Sequence, residues 1–484
     1  MRPITIIRLA IYLFIGLLLL GGTGLALGFL VFLRDDTDHI ASRIEIRLPI
    51  EKIIVQVPYA PIEGELTIGS GVPSQITGNW SQFRGENRDA ISTETIPLRK
   101  NWSDAQPPPV LWELPLGEGY AGFVIRNGCV YILDYDETNK RDALRCLSFD
   151  DGQEIWRYSY PVKIKKNHGM SRTIPAVTDQ YCVSLGPKCH VLCVDAVTGE
   201  EKWFIDLRHE YGTVEPQWYA GQCPLITVLP GSEKPVTIIA PSGPEVMMVA
   251  LDCETGEEVW RTPNPHGWEM THASLVPMTL DEQQTFVYFG EDGLAGVRAA
   301  DGEILWSTTG WKTALATCSS PLVLPDNRIF YSGGYNRGSA MIQIVPDSQS
   351  GTYRANLLFQ LSDGVFDSEQ QTPIFYDGHI FGLRQKDKGR FVCLDLTGKI
   401  VWESKSNNRP ERFGSGPSIV ADGMFLILED NGMLTGCEAA STGYWKLFEV
   451  KIMADSGCWA PMAIVQGRLL LRDQVSMKCI DLRE

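Results

Sequence analysis

The chain has 484 residues, 44% of them hydrophobic and 21% charged, which is the composition of a folded protein and not of a disordered one. Its formal net charge of −16 repels phosphate backbones, and no run of Lys or Arg offers a local exception, so nucleic acid is not expected as a partner. Gly (46) and Trp (13) are abundant, which suits many short strands joined by tight turns.

Residues 1–8 carry Arg2 and Arg8, and residues 9–33 carry no charge. A helix over that stretch is about 37 Å long at about 1.5 Å per residue, enough to span a hydrocarbon core of about 30 Å with some tilt. Arg34, Asp35, Asp36 and Asp38 follow it. The positive flank is expected on the cytoplasmic side, which puts a single-pass signal anchor in the cytoplasmic membrane and the bulk of the chain in the periplasm or outside. A cleaved signal peptide is the competing reading. Against it, the apolar run is long for such a peptide's core, no A-x-A site follows, and the first Cys is Cys129, so no lipobox-like Cys is present. Residues 34–77 read as a stalk or linker of short apolar stretches broken by Pro and Gly; one or two strands within IASRIEIRLPIEKIIVQV stay open. Residues 78–109 form a lead-in segment.

From about residue 110 a repeat takes over, and repeats take precedence over local reading. An apolar strand runs into a turn ending in Gly, and Trp follows four residues later: LRCLSFDDGQEIW, VLCVDAVTGEEKW, VALDCETGEEVW, AGVRAADGEILW and FVCLDLTGKIVW, with TGCEAASTGYW as a shortened copy. The Trp residues are Trp156, Trp203, Trp260, Trp306, Trp402 and Trp445, spaced by 47, 57, 46, 96 and 43. The gap of 96 is two repeats, one of which has lost its Trp. Each repeat opens with a second pattern of two strands, as in TIPAVTDQYCVSL and GPSIVADGMFLIL. Four antiparallel strands recurring at this spacing make one propeller blade. The last repeat stops before its Gly-Trp strand, and VLWELPL, with Trp112, is such a strand without partners. Joining the two closes a shared blade and removes exposed sheet edges. The count is eight: an all-β, eight-bladed β-propeller over 110–484. The recurring Trp residues, Trp112 included, are assigned to packing between blades, because a residue present in nearly every blade does a job every blade shares.

The AVTGEEKW repeat and its relatives ETGEEVW and LTGKIVW resemble the tryptophan-docking motif of the pyrroloquinoline-quinone (PQQ)-like repeat family. NWSQFRGENRDAIS followed by VLWELPLGEGYAG is similar to a membrane-associated bacterial subgroup well represented in planctomycetes. The resemblance spans about residues 78–484 and implies the eight-bladed fold. It leaves function open, because the family includes quinoprotein dehydrogenases and the lipoprotein of the outer-membrane β-barrel assembly machinery.

The dehydrogenases of that family carry two adjacent Cys beneath the cofactor, a calcium site and an Asp base. This sequence has no Cys-Cys pair and no C-x-x-C-H haem motif, and the calcium ligands and base find no counterpart residue by residue. No cofactor is therefore expected, and PQQ with calcium remains the alternative. No metal site is expected either: Asp134 to Asn139 lacks the Gly and closing Glu of a calcium loop and reads as a solvated hairpin tip. Cys146, Cys193, Cys393 and Cys479 share one repeat position and read as small buried apolar residues. In YCVSLGPKCHVLC, with Gly186 and Pro187 as the turn, Cys182 faces Val191, and one disulfide among Cys182, Cys189 and Cys193 stays open. Asn79 and Asn101 each begin an N-x-S match, a short pattern taken as accidental.

In a propeller, the loops leading into the innermost strands form one face around the central channel. Here these loops hold His168 and Arg172; Trp218 and Tyr219; Trp268 and His272; Trp311; Asp367, Glu369 and Gln370; Arg409 and Arg412; and Trp459. They are the candidate binding residues, although exposed loops carry aromatics and charges in any case. Two functions stay open: a non-catalytic binding or scaffold module for a protein or cell-envelope component, and a PQQ-dependent dehydrogenase acting on an alcohol or sugar.

Overall fold

A computed structural model describes residues 62–484 apart from 167–169, 349–350 and 455–456. The expected cytoplasmic N-terminus, transmembrane helix and most of the stalk lie outside the described residues. Among the described residues no helix is long and apolar enough to cross a membrane.

Eight four-stranded antiparallel sheets follow one another along the chain. Blade 1 spans Val124–Pro161 and blade 2 Ala176–Asp206; blades 3 and 4 span Leu225–Pro263 and Val276–Ser307. Blade 5 covers Leu322–Leu361, blade 6 Ile374–Glu403 and blade 7 Ser418–Lys451. Blade 8 takes three strands from Ala463–Asp481 and its outermost strand, Val110–Pro115, from the other end of the chain. In that closing pair Trp112 lies opposite Cys479. Residues 65–68, within the expected stalk, pair with the outer strand of blade 1 as a fifth strand.

Each blade's third and outermost strands slip by one residue at a bulge that carries an aromatic residue. In six of the blades its ring lies against the outer turn of the following blade. A Cβ added to the turn glycines Gly152, Gly199, Gly256 and Gly302 would meet Trp112, Trp156, Trp203 and Trp260 at 2.6–2.8 Å. These glycines also have φ between 71° and 77°, so the turn needs Gly both for its backbone and for the ring above it. The indole N–H of Trp112, Trp203, Trp260 and Trp402 donates to the carbonyl three residues before the next blade's Gly, at Phe149, Cys253, Ala299 and Ala440, over 2.9–3.2 Å. Trp156 makes no such bond, and the Ala196 carbonyl at the corresponding position accepts from the Tyr131 hydroxyl. The residue opposite the ring is Cys in four blades (Cys146, Cys193, Cys393 and Cys479) and Ala250 in a fifth, all buried beneath it.

Two positions differ from the sequence reading. In blade 5 the missing Trp is replaced by Phe359, which meets Gly398 of blade 6. In blade 7 the docking residue is Phe448, buried opposite Gly436, whereas Trp445 lies on the turn and is 55% exposed. The physical reason is closure. The outermost strands of blade 8 come from the two ends of the chain, so blade 8 has no outer turn for a blade 7 Trp to dock on. The Cys182 register also differs. The turn takes up Gly186 to Cys189, with Cys189 at φ 63°, so Cys182 faces Val194 while Cys193 faces Val183. Cys182 and Cys193 thus point to opposite faces of the sheet, and all twelve cysteines are free thiols.

The lead-in segment is more than a connector. Trp80 exchanges backbone bonds with Ile125 of blade 1, and the Val177 N–H of blade 2 donates to the Ser81 carbonyl. Arg88 donates to the Leu275 carbonyl at the start of blade 4 (2.9 Å), and Arg84 to the Pro373 carbonyl at the start of blade 6 (2.8 Å). Ala90 and Ser92 bond Val420 of blade 7, and Glu94 accepts from the Gln466 N–H of blade 8 (2.6 Å). Residues 80–94 thus plug one end of the central channel. Arg84, Arg88 and Ala90 all adopt left-handed backbone (φ 66°, 59° and 64°), a strain that persists only where the surroundings fix it.

Replacing Phe448 by Ala should cost about 3–5 kcal/mol in urea unfolding, as for other large buried aromatics. Replacing Trp445 by Ala should change stability by less than about 0.5 kcal/mol. The reverse order would show that the turn Trp, and not Phe448, carries the blade interface.

Candidate functional site

At the end of the channel opposite the plug lies a cavity of about 320 Å³. In most blades the residue four positions before the innermost strand reaches into it. Blade 1 supplies Tyr120, blade 2 Arg172, blade 3 Trp218, blade 4 His272, blade 5 Cys318, blade 6 Gln370 and Gln371, and blade 8 Trp459. Phe83, at the centre of the plug, forms its floor. The channel is therefore a blind well and not a pore.

The wall is aromatic and held from behind. Tyr120 and Trp459 stack with centroids 4.9 Å apart and planes 18° apart. The Trp459 indole N–H donates to Asp430 Oδ1 at 2.6 Å, and Gln474 Nε2–H donates to the Tyr120 hydroxyl at 2.5 Å. Burial raises the Asp430 carboxyl, while the Ser415 and Trp459 N–H groups oppose the shift. Gln371 donates to the carbonyls of Ser415 and Trp459, tying blade 6 to blades 7 and 8.

The polar groups facing the well are strongly desolvated. His272 is 8% exposed, and neither ring nitrogen has a hydrogen-bond partner. Burial first, then the Arg172 charge, lowers its pKa to about 4; the Tyr219 carbonyl opposes this without reaching bonding geometry. The imidazole is neutral at physiological pH. Gln370 Oε1 is buried without a donor. Burial also lowers Arg172, opposed by Cys318, Tyr120, Tyr335 and Tyr219 around it. Burial pushes the Cys318 thiol up to about 12. Behind Arg172, Ser171 Oγ–H donates to Asp142 Oδ1 and the Tyr160 hydroxyl to Oδ2, both at 2.8 Å.

Five of the expected binding residues converge here: Arg172, Trp218, His272, Gln370 and Trp459. His168 lies outside the described residues. Tyr219 is buried and clamps Lys165, accepting from its N–H and donating to its carbonyl. Trp268 and Trp311 are core residues, the latter beneath the Arg337 guanidinium at 4.1 Å. Asp367 is spent on the Asn336 and Gly338 N–H groups. Glu369 does not line the well but acts on Tyr335 and Cys318, which do. Arg409 sits on an exposed two-residue strand, and Arg412 pairs with Asp387 at 2.9 Å. The sequence reading missed Phe83 and Tyr120, although both fall inside the segments quoted for the family resemblance.

These features define an eight-bladed β-propeller closed at one end of its channel. A family model described as outer membrane protein assembly factor BamB matches residues 140–353. No curated protein matches the sequence. Among solved structures, BamB from Moraxella catarrhalis is similar at 12% identity and a TM-score of 0.51, over 77% of this chain and 99% of that one. A europium-containing methanol dehydrogenase (12%, TM-score 0.45, 81% and 89%) and a quinohemoprotein alcohol dehydrogenase from Pseudomonas putida (13%, 0.43, 86% and 83%) are also similar. At these identities the likeness is one of fold.

Burial raises the Asp142 pKa from 3.8 to about 7, so the folded state holds this proton more tightly than the unfolded chain. The contribution to stability is full below about pH 4 and lost as pH rises to about 7. Asp142→Asn should abolish this decline. Parallel urea titrations of both proteins at pH 4 and pH 8 check it, and a stability difference between them that does not change with pH would refute it.

Proposed function

We propose that this chain is a membrane-tethered, extracytoplasmic binding module, and that the well recognises its ligand without transforming it. The observation that carries this is the well itself. It is closed behind by the chain's own plug, walled by aromatics held from behind, and it presents the two His272 nitrogens and the Gln370 oxygen buried without partners. Leaving such groups unpaired costs about 1–3 kcal/mol each, a cost a bound ligand would offset. The uncharged stretch 9–33, with Arg2 and Arg8 before it, supports the tether and its orientation. The BamB family match supports a role in the cell envelope, where a protein or other envelope component would be the partner.

PQQ with calcium is the competing occupant, and the residues of the well do not fit it. Among the described residues no group of three or more His, Cys, Asp or Glu is arranged to hold a metal ion. The two cysteines of the well, Cys223 and Cys318, come from different blades and are not adjacent, and among the described residues Arg172 is the one Lys or Arg that lines it. Cys223 accepts from the Ile174 N–H.

The full chain supplied with PQQ and calcium should reduce no redox dye in the presence of alcohols or aldoses. A phosphatase fused after residue 484 should be active in intact cells. Dye reduction would replace this reading with a dehydrogenase, and an inactive fusion would reverse the orientation.

A further inference from the structure

We infer that the well takes a small, flat, uncharged ring molecule that carries hydrogen-bond donors on two separate edges. The inference rests on the reading of the well as a binding site and gives that site a ligand class.

Size comes first. About 320 Å³ lies at the small end of the roughly 300–1,000 Å³ usual for small-ligand sites. Shape follows from the walls. Tyr120 and Trp459 stack with planes 18° apart, and Trp218 stands beside His272 with centroids 6.5 Å apart. All four side chains line the well, with Phe83 across its floor. A rigid ring gains most from such surroundings, because it stacks on flat side chains without losing rotamer freedom.

Polarity decides what the ring carries. Two lining side chains hold buried atoms that no protein group answers, both ring nitrogens of His272 and Oε1 of Gln370. Gln370 Oε1 is an amide oxygen that only accepts, so it calls for an N–H or O–H. The His272 imidazole is neutral, so one nitrogen donates and the other accepts, whichever tautomer it adopts. A hydroxyl answers either nitrogen, because it both donates and accepts. His272 precedes the innermost strand of blade 4 and Gln370 that of blade 6, with blade 5 between them, so a ring meets them along different edges. Arg172 also lines the well but is already engaged within the protein. The open groups are neutral, and an ion would shed its hydration without a charged partner in return. A carboxylate would in addition set its oxygens against Gln370 Oε1 and donate nothing to it.

The test is a ladder on one ring system at neutral pH, with a naphthalenediol bearing one hydroxyl on each ring, its dimethyl ether, naphthol and naphthoate titrated calorimetrically into the full chain. Thermal unfolding of the same mixtures is a second readout, since a ligand held by the folded state raises Tm. The diol is expected to bind once per chain, to raise Tm most, and to bind at least about tenfold tighter than naphthol or the dimethyl ether, as satisfying a buried acceptor requires. Naphthoate should bind more weakly than naphthol. Gln370→Met, which removes the amide, should bring the diol down to the affinity of naphthol and leave the dimethyl ether unchanged. Trp218→Ala, which removes part of a wall, should weaken every member of the ladder. Equal affinity of the diol and its dimethyl ether, tighter binding of naphthoate, or a diol whose advantage survives Gln370→Met would overturn the ligand class while keeping the well as a binding site. If no member binds, or if none responds to Trp218→Ala, both the class and the reading of the well fall. The ladder on the unaltered chain decides the class even where a variant fails to fold.

Discussion

Everything in this molecule depends on one repeated contact, an aromatic ring from a blade's outer strand lying on the outer turn of the blade ahead. Burying such a ring removes on the order of 200 Å² from water, worth about 5 kcal/mol at the usual coefficient. The contact is directional. It uses a bulge to aim the ring and, at five of the turns that receive it, a glycine with positive φ. Most blades supply a ring to one neighbour and a turn to the other, so the blades advance in a fixed sense until the chain meets itself. At the seam the rule changes, because a blade assembled from both ends of the chain has no outer turn. There Phe448 joins the buried cluster that also holds Leu98 and Trp102 of the lead-in segment.

The same segment decides what the central channel becomes. Eight inner strands enclose a space that would otherwise run through the molecule. Residues 80–94 stop it by bonding six of the eight blades, and two of the strongest ties are arginines donating to backbone carbonyls. Burial lowers both guanidinium pKa values to about 10, which keeps Arg84 and Arg88 charged at neutral pH. Their hydrogen bonds therefore satisfy carbonyls at the starts of blades 4 and 6. The strain in this segment and the desolvated polar groups above it belong to one design: a rigid stopper beneath a site whose polarity is unspent.

The fold was legible in the sequence because its signal repeats. Gly-x-x-x-Trp at regular spacing fixed the blade count, and the incomplete first and last repeats fixed the closing pair. The misreadings share a cause. Trp445 was counted as a shortened copy 43 residues after Trp402, yet the structure selects the docking residue by the bulge register, which sequence spacing does not reveal. Cys182 was placed by assuming a turn that sets the register three residues short of the one formed. The well was partly legible, because loop position picked out Arg172, Trp218, His272, Gln370 and Trp459. Loop position could not separate these from Trp268, Trp311 and Asp367, which the same loops turn inward to pack or to cap backbone. The plug was not legible at all. Its partners lie up to 372 residues away in sequence, and nothing in QFRGENR signals that its arginines answer carbonyls on distant blades.

The path of the chain also gives the molecule an order of mechanical failure. Between Ile62 and the closing strand Val110–Pro115 lie, in turn, the short strand on blade 1 and the whole plug. Tension applied at Ile62 is borne first by the four residues Glu65–Ile68 paired with blade 1, then by the bonds that seat the plug. Only when these and the bonds of Leu98, Arg99 and Asp104 to blades 7 and 8 have given way does the load reach the pair of strands that closes the ring. The elements that yield early are the ones added to the propeller, so a sustained pull would open the floor of the well while the eight blades remained a closed circle.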